Sequence, residues 1–399
     1  MNSLIIIGAG LAGWTTVREF RKLDTTTPVV VVTADSGDFY AKPTLSNAYA
    51  QKRSPEQLVS TPAAKMAETQ NVTLMAHTQV DALDVAAHTI TVTHDGVQQT
   101  LPYRQLVLAV GAQPIRVPVQ GDAANQVRSI NSLDDFKAFH SVLESVASPH
   151  AESTSSSQNR SKTVLIMGAG LIGCEFANDL AGAGHTVHVA DPSARPLSAL
   201  LPAAAAEQLA QALGQLGVQW HFGATVQSVD AAPAGLHITL SDGSTVAADA
   251  VLSAIGLRAD TRLAAAAGMA CERGVVVDAQ LQTSAPGVFA LGDCAQYAAA
   301  GQRTLPYVMP IMHAAKALAA TLAGTPTPVV FPLMPVSVKT PALPIVVAAA
   351  HPAQAGQWVV DAQEDGVWRF MDGDNAQRGF VLTAQQTTRR MELAKTTLA

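Results

Sequence analysis

Short, uninterrupted runs of apolar residues recur along the chain, and most of them end at a glycine or an aspartate. Runs of this kind are typical of strands that are buried on both faces of a parallel sheet. They predict strands over residues 4–7, 29–33, 106–111, 164–167, 186–191, 251–256 and 287–293. Helical periodicity predicts a helix that ends at residues 18–22, a second helix over 203–216, and a third from Tyr307 to Leu322, which Gly324 caps at its C-terminus. Strands that alternate with helices indicate an α/β fold.

Three other stretches follow different patterns. Residues 71–103 carry alternating strands, with Asp95-Gly96 as a hairpin turn, and a second strand pair is predicted around Asp242-Gly243. Residues 148–162 are rich in serine and almost free of apolar side chains, which predicts a flexible surface insertion. A Thr-Pro-Thr-Pro linker at 325–328 precedes a predicted α+β module with strands near 333–339, 344–348, 357–361, 367–371 and 378–383 and a basic final helix containing Arg389, Arg390 and Lys395.

A glycine-rich turn lies in the middle of the chain. Gly168, Gly170 and Gly173 stand between an apolar strand and a helix. Glycines in this pattern allow a tight turn, the approach of a pyrophosphate to the backbone, and close packing of the helix on the strand. The helix N-terminus adds free N–H groups for the phosphates. Asp191 ends the next strand, where a carboxylate accepts hydrogen bonds from a ribose diol and repels a 2′-phosphate, so the motif favours NAD(H) over NADP(H).

The same pattern occurs earlier with Gly8, Gly10 and Gly13. Two copies, 160 residues apart, predict two dinucleotides in one chain. The alternative is two tight turns that bind nothing, which requires the same pattern to arise twice without a ligand. The apolar strands at 106–111 and 251–256 both end in glycine, which suggests that the chain contains duplicated halves.

Several single residues have two interpretations each. Thr33 ends the strand after the first motif and Asp35 follows it, so either side chain is a candidate for the ribose of the first dinucleotide. Asp293, at a strand end, either binds a ribityl hydroxyl group of a flavin or caps the next helix. Arg116 either reaches a phosphate or is a solvated surface residue. Lys42 is singled out by its place before a proline, although a lone lysine is ordinarily on the surface.

Composition narrows the class of protein. The 399 residues are 48% apolar and 14% charged, which is typical of a globular enzyme with two or three domains. The net charge of −6 argues against nucleic acid as the main partner. Neither a membrane span nor a signal peptide is indicated. Cys174, Cys271 and Cys294 form no C-x-x-C pair, so they are interpreted as buried structural thiols in a reducing cytoplasm.

The two glycine motifs, the Val-Gly-Ala-Gln-Pro and Ala-Ile-Gly segments that end at Pro114 and Gly256, and Leu-Gly-Asp293 together resemble the two-dinucleotide flavoprotein reductases related to glutathione reductase. Within that family, four further segments are similar to those of the bacterial rubredoxin–NAD(+) reductases: residues 40–46, 168–179, 307–312 and 338–341. The resemblance covers nearly the whole chain apart from the Ser-rich insertion. Ferredoxin reductases of oxygenase systems share most of these motifs.

The resemblance implies an α/β protein with two Rossmann-like dinucleotide-binding domains and a small C-terminal α+β domain. FAD would bind a discontinuous domain at 1–116 and 247–326, NADH a domain at 117–246, and residues 327–399 would form the C-terminal domain. The FAD-binding residues that it implies are Gly8, Gly10, Ala12, Gly13, Thr33, Lys42, Pro43, Val80, Gly111, Arg116, Asp293 and Val308. The NADH-binding residues that it implies are Gly168, Gly170, Leu171, Ile172, Gly173, Glu175, Asp191 and Gly256.

The cysteines bear on the mechanism. Disulfide reductases of this superfamily need a redox pair beside the flavin, whereas the loop at 42–47 contains no cysteine. Electrons on the flavin therefore have no thiol to receive them and are expected to leave one at a time, to an iron centre. The resemblance also implies that Lys42 and Glu175, in the first turn of its helix, form an ion pair near the flavin. This pair either holds the nicotinamide and flavin in register or is a structural salt bridge between domains.

The helix that opens near Tyr307 is implied to direct its N-terminus at the flavin pyrimidine, and Pro310 is compatible with a first turn. The expected electron acceptor is rubredoxin, a small acidic protein, with Lys316 and Lys339 as candidate docking residues. Alkane hydroxylation or an oxygen-detoxifying chain is the expected pathway. Two alternatives are a ferredoxin reductase of an oxygenase or P450 system, and a flavoprotein that senses NADH and signals to a partner.

Overall fold

A computed structural model describes residues 3–145, 161–361 and 364–398. The Ser-rich insertion predicted at 148–162 lies outside the described residues except for Ser161 and Lys162. The chain forms two compact units. Unit 1 comprises Met1–Ala41, Val59–Gln113 and Leu257–Pro332, and unit 2 comprises Lys42–Leu58, Pro114–Gly256 and Leu333–Ala399. In the described residues, no helix has both the length and the apolar character that crossing a membrane requires.

Unit 1 is organised around a sheet of five parallel strands, which pair in the order β3 (Thr73–Met75), β2 (Val29–Val32), β1 (Ser3–Ile7), β6 (Val97–Leu108) and β18 (Val288–Ala290). Ile5 pairs with Val30 on one side and with Leu106 on the other. Valine, isoleucine and leucine fill both faces of these strands and form the core of the unit. The predicted strands at 4–7 and 29–33 are confirmed, and those predicted at 106–111 and 287–293 are present but end earlier, at Leu108 and Ala290.

A hairpin extends the same sheet. β4 (Thr78–Asp84) and β5 (Thr89–His94) pair antiparallel with each other, and β5 pairs with the first half of β6. Asp95 (φ 48°) and Gly96 (φ 76°) form the turn, which is the left-handed backbone that a tight hairpin requires. The sequence predicted the hairpin strand and the strand at 106–111 separately, but they form one continuous strand because β6 passes from the exposed hairpin directly into the buried core.

The helices of unit 1 pack against this sheet and against one another. α1 (Leu11–Arg21) and α7 (Val308–Leu322) lie side by side, and Trp14, Val17 and Phe20 of α1 are fully buried. Gly324 follows α7 with φ 97°, which confirms the predicted C-terminal glycine. The remaining elements of the unit are α2 (Ala63–Gln70), α6 (Arg262–Ala266) and two short strand pairs, β7 (Ala112–Pro114) with β16 (Leu257–Ala259) and β17 (Val275–Val277) with β19 (Ala295–Tyr297).

Unit 2 repeats the same strand order. Its parallel sheet runs β11 (Gln219–Phe222), β10 (Thr186–Asp191), β9 (Thr163–Met167), β15 (Ala250–Ser253) and β8 (Val127–Arg128). An antiparallel sheet of β12 (Val226–Ala232), β13 (Gly235–Leu240) and β14 (Thr245–Ala248) corresponds to the hairpin of unit 1. The helices are α3 (Leu133–Glu144), α4 (Leu171–Gly182) and α5 (Ala203–Gln215). The duplication predicted from the two apolar strands that end in glycine is therefore present in the strand order.

The C-terminal part of unit 2 is an antiparallel sheet with the order β20 (Val336–Val338), β21 (Ile345–Ala348), β24 (Gln377–Thr383), β23 (Val367–Met371) and β22 (Gln357–Val360). The final helix α8 (Arg390–Thr396) packs Leu393 against the buried face of this sheet. All five predicted strands and the basic helix are confirmed. Short 3₁₀ helices cover Lys42–Asn47, Pro55–Leu58, Ala124–Gln126, Gly292–Cys294, Ala298–Ala300 and Ala384–Arg389.

Candidate functional site

The first glycine turn connects β1 to α1. A Cβ atom on Gly8, which has φ 107°, would lie 2.3 Å from the carbonyl oxygen of Ala109. A Cβ atom on Gly13 would lie 1.9 Å from the carbonyl oxygen of Gly8. These distances exclude any side chain, so the tight turn and the close packing of α1 require glycine at both positions.

The second turn connects β9 to α4 and has the same geometry. A Cβ atom on Gly168 (φ 100°) would lie 2.8 Å from the carbonyl oxygen of Ala254, and one on Gly173 would lie 1.9 Å from the carbonyl oxygen of Gly168. The two turns therefore share their backbone conformation as well as their sequence. This agreement supports a common role for them.

The middle glycine of each turn is different. Gly10 and Gly170 have φ of −75° and −76°, which any residue adopts, and no described atom lies within 4 Å of a Cβ atom built on either. Packing within the described part of the chain thus gives no reason for glycine there. No described side chain caps α1 or α4, so their N-terminal N–H groups are available to an anion. Open space and uncapped N–H groups together fit the pyrophosphate of a dinucleotide.

The first turn of each helix holds the other predicted residues of these motifs. Ala12 lies in the first turn of α1 and is buried. Leu171 and Ile172 begin α4, and Ile172 is 43% exposed although it is a large apolar residue. An exposed isoleucine beside the open glycine turn is consistent with a site for a ligand in unit 2.

Asp191, the acid predicted to bind a ribose, ends β10 and is held by the backbone. Its Oδ2 accepts the N–H of Ala169 at 2.7 Å, and its Oδ1 accepts the N–H of Ser193 at 2.7 Å. The first of these bonds attaches the carboxylate to the glycine turn. The acid and the turn therefore form one rigid arrangement in unit 2.

Thr33 and Asp35 are joined in unit 1. The hydroxyl of Thr33, which is 6% exposed, donates to Asp35 Oδ1 at 2.6 Å. The same oxygen accepts the N–H of Gly37 at 3.0 Å. Thr33 is thus buried and fixes the carboxylate of Asp35, which makes Asp35 the more accessible of the two candidates for a ribose.

Asp293 follows β18 in a 3₁₀ turn. A Cβ atom on the preceding residue, Gly292 (φ 81°), would lie 2.9 Å from the Cβ atom of Ala12. Glycine therefore lets this segment approach the start of α1, which brings Asp293 to the same end of the sheet as the first glycine turn. Val308 begins α7 after the N-cap Tyr307, and Pro310 lies in the first turn as predicted.

Four other predicted residues lie elsewhere in the two units. Gly111 has φ 74°, and its carbonyl oxygen accepts the N–H of Asp260. Gly256 has φ 113°, and its carbonyl oxygen accepts the N–H of Ile115. Val80 is a core residue of β4, and Arg116 is exposed.

Glu175 forms a buried ion-pair cluster in unit 2. It is the fifth residue of α4, so it lies in the second turn rather than in the predicted first turn. Its Oε2 accepts the hydroxyl of Ser46 at 2.7 Å and pairs with the ammonium group of Lys339. Its Oε1 accepts the backbone N–H of Lys339 at 3.1 Å. Lys339 Nζ also donates to Ser46 Oγ at 2.8 Å, which closes a triangle of three side chains.

This cluster corrects two predictions. Lys42 was predicted as the partner of Glu175, and the structure gives that place to Lys339. Lys42 begins the 3₁₀ helix that includes Pro43. Its Nζ donates at 2.5 Å to Oδ1 of Asn131, a residue that lies just before α3. Lys339 was predicted as a candidate docking residue for the acceptor, but its ammonium group pairs with Glu175. Lys316, the other candidate, is exposed.

Three polar residues in or beside this cluster were not predicted as site residues. Ser46 lies in the loop after the first nucleotide motif, and Asn178 and Asp179 lie one turn after Glu175 on α4. Both helix residues are buried. The signal in the sequence for Asn178 and Asp179 is that two consecutive polar residues interrupt an otherwise apolar stretch of α4.

The three cysteines provide no reactive thiol in the described residues. Cys174 and Cys294 are fully buried, and burial raises the pKa of both thiols, that of Cys294 to about 12. Burial also raises the pKa of Cys271. A thiol with a raised pKa holds little of the nucleophilic thiolate. The geometry therefore supports electron transfer without a disulfide intermediate.

Comparison with known proteins identifies the family. Residues 2–320 match the family model described as pyridine nucleotide-disulphide oxidoreductase. The chain belongs to this family. Membership in the pyridine nucleotide-disulphide oxidoreductase family confirms the predicted fold class, the oxidoreductase class, and the cofactors FAD and NAD(H). Residues 328–397 match a second model, described as the rubredoxin binding C-terminal domain.

Individual relatives are similar over their full length. The chain is 41% identical over 397 residues to the rubredoxin-NAD(+) reductase of Alcanivorax borkumensis, covering 99% of this chain and 98% of the relative. It is 40% identical over 399 residues to the rubredoxin-NAD(+) reductase of Acinetobacter baylyi, again covering 99% and 98%. Its fold is similar to a crystal structure of the covalent putidaredoxin reductase–putidaredoxin complex, with a TM-score of 0.84, 23% identity, and coverage of 98% and 92%.

Proposed function

We propose that this chain is an NADH-dependent flavoprotein reductase that passes electrons from NADH, through FAD, to rubredoxin one at a time. The main supporting observation is the open space beside the middle glycine of each turn, Gly10 and Gly170, because it fits two dinucleotide sites in one chain. The match of residues 328–397 to a rubredoxin-binding model supports the acceptor. The names of the relatives in Alcanivorax borkumensis and Acinetobacter baylyi support it as well.

The first glycine turn is the proposed FAD site. The N–H groups at the start of α1 bind the pyrophosphate, and open space at Gly10 admits it. Asp35, fixed by Thr33, accepts hydrogen bonds from the adenosine ribose, and Asp293 accepts them from the ribityl chain. The proposed FAD domain is the part of 1–116 and 247–326, the bounds that the resemblance implies, that belongs to unit 1, because β15 (Ala250–Ser253) pairs with β9 in the sheet of unit 2.

The second turn is the proposed NADH site, in a domain at 117–246. The start of α4 binds the pyrophosphate, and Asp191 binds the ribose diol. Because Asp191 carries a negative charge at that position, a 2′-phosphate is excluded. The C-terminal domain, 327–399, is the proposed docking module for rubredoxin.

FAD, when bound, would supply the redox chemistry that links one two-electron transfer from NADH to two one-electron transfers to the acceptor. The residues of the chain bind, orient and enclose the reactants, and none of the described thiols takes the electrons. One NADH therefore reduces two rubredoxins, because each rubredoxin iron accepts a single electron. Glu175 and Lys339, with Ser46 between them, are the proposed groups that orient the nicotinamide ring.

The unpaired cysteines support a location in the reducing cytoplasm. The proposed pathway is alkane hydroxylation or an oxidative-stress electron chain, since either uses reduced rubredoxin.

The test uses purified FAD-loaded protein under anaerobic conditions. NADH is added until the flavin absorbance is bleached, and the reduced enzyme is mixed with rubredoxin or with a [2Fe–2S] ferredoxin. We expect fast reoxidation by rubredoxin and two rubredoxins reduced per NADH. Faster reoxidation by the ferredoxin would favour a reductase of an oxygenase system. Slow reoxidation by both acceptors would contradict the proposal and favour a sensor.

A further inference from the structure

One face of α4 is buried but polar. Glu175, Asn178, Asp179 and Gly182 are spaced three, four and seven residues from the first, so they lie on the same side of the helix. Only 5% of Asn178 and 2% of Asp179 is exposed. A helix face that is buried is ordinarily apolar, and buried polar groups are costly unless they are hydrogen-bonded. The polar side chains on this face therefore require partners.

The partners of Asp179 are two consecutive backbone N–H groups. Its Oδ2 accepts the N–H of Tyr49 at 2.9 Å, and its Oδ1 accepts the N–H of Ala50 at 2.9 Å. Burial raises the pKa of the Asp179 carboxyl group, while the N–H groups of Ala50, Tyr49 and Ala48 and the charge of Lys339 act in the opposite direction. The carboxylate thus fixes the backbone of one short segment.

That segment also carries Ser46. Tyr49 and Ala50 follow Ser46 by three and four residues, and Glu175 and Asp179 are four residues apart on α4, about 6 Å along the helix axis. The segment is therefore attached to the same helix face at two points. Gly182 completes the attachment, because a Cβ atom there would lie 3.4 Å from the Cβ atom of Ala50.

We propose that Asp179 is a positioning residue: it holds Tyr49 and Ala50 so that Ser46 donates its hydroxyl proton to Glu175 and accepts a hydrogen bond from Lys339. Without Asp179 the segment loses two hydrogen bonds to α4 and keeps the Ser46 hydrogen bond and the packing of Ala50 on Gly182, so Ser46 is held less firmly against the Glu175 carboxylate. The inference rests on the proposed function, in which Glu175 and Lys339 orient the nicotinamide ring.

Asn178 is the matched control on the same helix face. Its Oδ1 accepts the N–H of Ala342 at 3.0 Å, so it holds the segment that follows Lys339 rather than the one that carries Ser46. Asn178→Ala and Asp179→Asn therefore release different segments. In Asp179→Asn, the new amide side chain retains one carbonyl oxygen and loses the second acceptor together with the charge.

The first readout is independent of activity. Amide hydrogen exchange is measured by mass spectrometry on the FAD-loaded protein without NADH. In Asp179→Asn we expect exchange in peptides that cover Tyr49 and Ala50 to rise at least tenfold, because the amides lose a buried acceptor. Asn178→Ala is expected to leave these amides protected and to raise exchange near Ala342. Unchanged exchange at Tyr49 and Ala50 in Asp179→Asn would overturn the proposal.

The second readout is a double-mutant cycle with Ser46→Ala, in which the limiting rate of flavin reduction by NADH is measured by stopped flow. Each single substitution is expected to slow reduction about tenfold, with the dissociation constant of NADH changed less than threefold. The double variant is expected to be no slower than the slower single variant, because Asp179 acts through Ser46. Additive effects, which a general structural role would produce, would overturn the inference.

One further variant, Glu175→Gln, separates the possible failures. If Glu175→Gln slows reduction while Asp179→Asn and Ser46→Ala do not, the inference is wrong and the proposed function stands. If Glu175→Gln leaves the rate unchanged, the proposed role of the cluster itself is wrong. If Asp179→Asn does not retain FAD, the Ser46→Ala variant decides. An unchanged rate of flavin reduction in Ser46→Ala would overturn the inference, because Ser46 is the group through which Asp179 is proposed to act.

Discussion

The ammonium group of Lys339 forms an ion pair with the carboxylate of Glu175, although 164 residues separate them in the chain. Glu175 belongs to the helix that follows the second glycine turn, and Lys339 follows the first strand of the C-terminal sheet. Within unit 2, the pair connects the proposed NADH helix directly with the region that matches a rubredoxin-binding domain.

This pair predicts a specific pattern of stability. Lys339→Met is expected to lower the free energy of unfolding by about 1–3 kcal/mol, because it leaves the buried Glu175 carboxylate without its cation. The loss is smaller than for a fully buried pair because 28% of the Lys339 side chain is accessible. The double variant Lys339→Met/Glu175→Gln is expected to recover most of the loss. Urea unfolding of the FAD-loaded protein measures both. Lys65→Met is the control, because its pair with Glu68 is exposed, with 62% and 71% of the side chains accessible, and is expected to change stability by less than about 0.5 kcal/mol.

Lys42 provides a separate kinetic prediction. Replacing it with methionine removes the hydrogen bond to Asn131 and a positive charge from the loop after the first nucleotide motif. Flavin reduction by NADH is expected to slow about tenfold while FAD stays bound. Stopped-flow reduction and the flavin absorbance of the purified variant measure the two effects. A rate equal to that of the unmodified enzyme would remove Lys42 from the proposed site.

The glycine turns predict a contrast between neighbouring positions. Gly10→Ala is expected to fold but to bind FAD at least tenfold more weakly, because the new methyl group enters the open space reserved for the pyrophosphate. Gly170→Ala is expected to retain FAD and to lose NADH affinity.

Gly13→Ala and Gly173→Ala, where a Cβ atom would lie 1.9 Å from a carbonyl oxygen, are expected to impair folding. Flavin content, NADH titration and soluble yield distinguish these outcomes, and normal binding in Gly10→Ala and Gly170→Ala would contradict the assignment of both sites.

Asp191 predicts the nucleotide preference. Asp191→Asn keeps an oxygen for the N–H of Ala169 but removes the negative charge. We expect the preference for NADH over NADPH, measured as the ratio of kcat/KM values, to fall by about tenfold or more. The control is Asp122→Asn, an exposed acid on unit 2 that accepts the N–H of Ala231. An unchanged preference in Asp191→Asn would show that the acid does not face the ribose.

Asp260 predicts a dependence of stability on pH. Burial tends to raise the pKa of this carboxyl group, but hydrogen bonds from Arg262 and Gln113 outweigh it and hold the pKa below its usual range. A depressed pKa in the folded state contributes stability above about pH 4, which is lost as the pH falls through the folded pKa. Asp260→Asn is therefore expected to destabilise the protein by about 1 kcal/mol at pH 7. The difference is expected to shrink below pH 4, and a difference that is constant with pH would contradict this origin.

Much of the architecture was predictable because buried parallel strands leave an unambiguous pattern. The apolar runs, the glycine turns and the Asp95-Gly96 hairpin were all predicted at the right places. The continuity of β6 was not, since an exposed hairpin strand and a buried core strand have different patterns although the backbone is one strand.

The ion-pair cluster was only half predictable. Glu175 was identified from the motif. Its partner was assigned by resemblance to Lys42, in the loop after the first nucleotide motif, whereas the structure pairs it with Lys339. Contacts between segments 164 residues apart depend on tertiary packing, which no local pattern records. Asp179 was missed because an aspartate in a helix is ordinarily solvent-exposed, and here it is 2% exposed.

The anchoring of two segments to α4 depends on main-chain donors. Asn178 and Asp179 accept the backbone N–H groups of Ala342, Tyr49 and Ala50, and any residue except proline supplies such a group. The side chains at these three positions take no part in those hydrogen bonds, and the ring of Tyr49 packs instead against Phe136 and His140. A substitution at any of the three positions, proline excepted, therefore leaves the hydrogen bond to α4 in place.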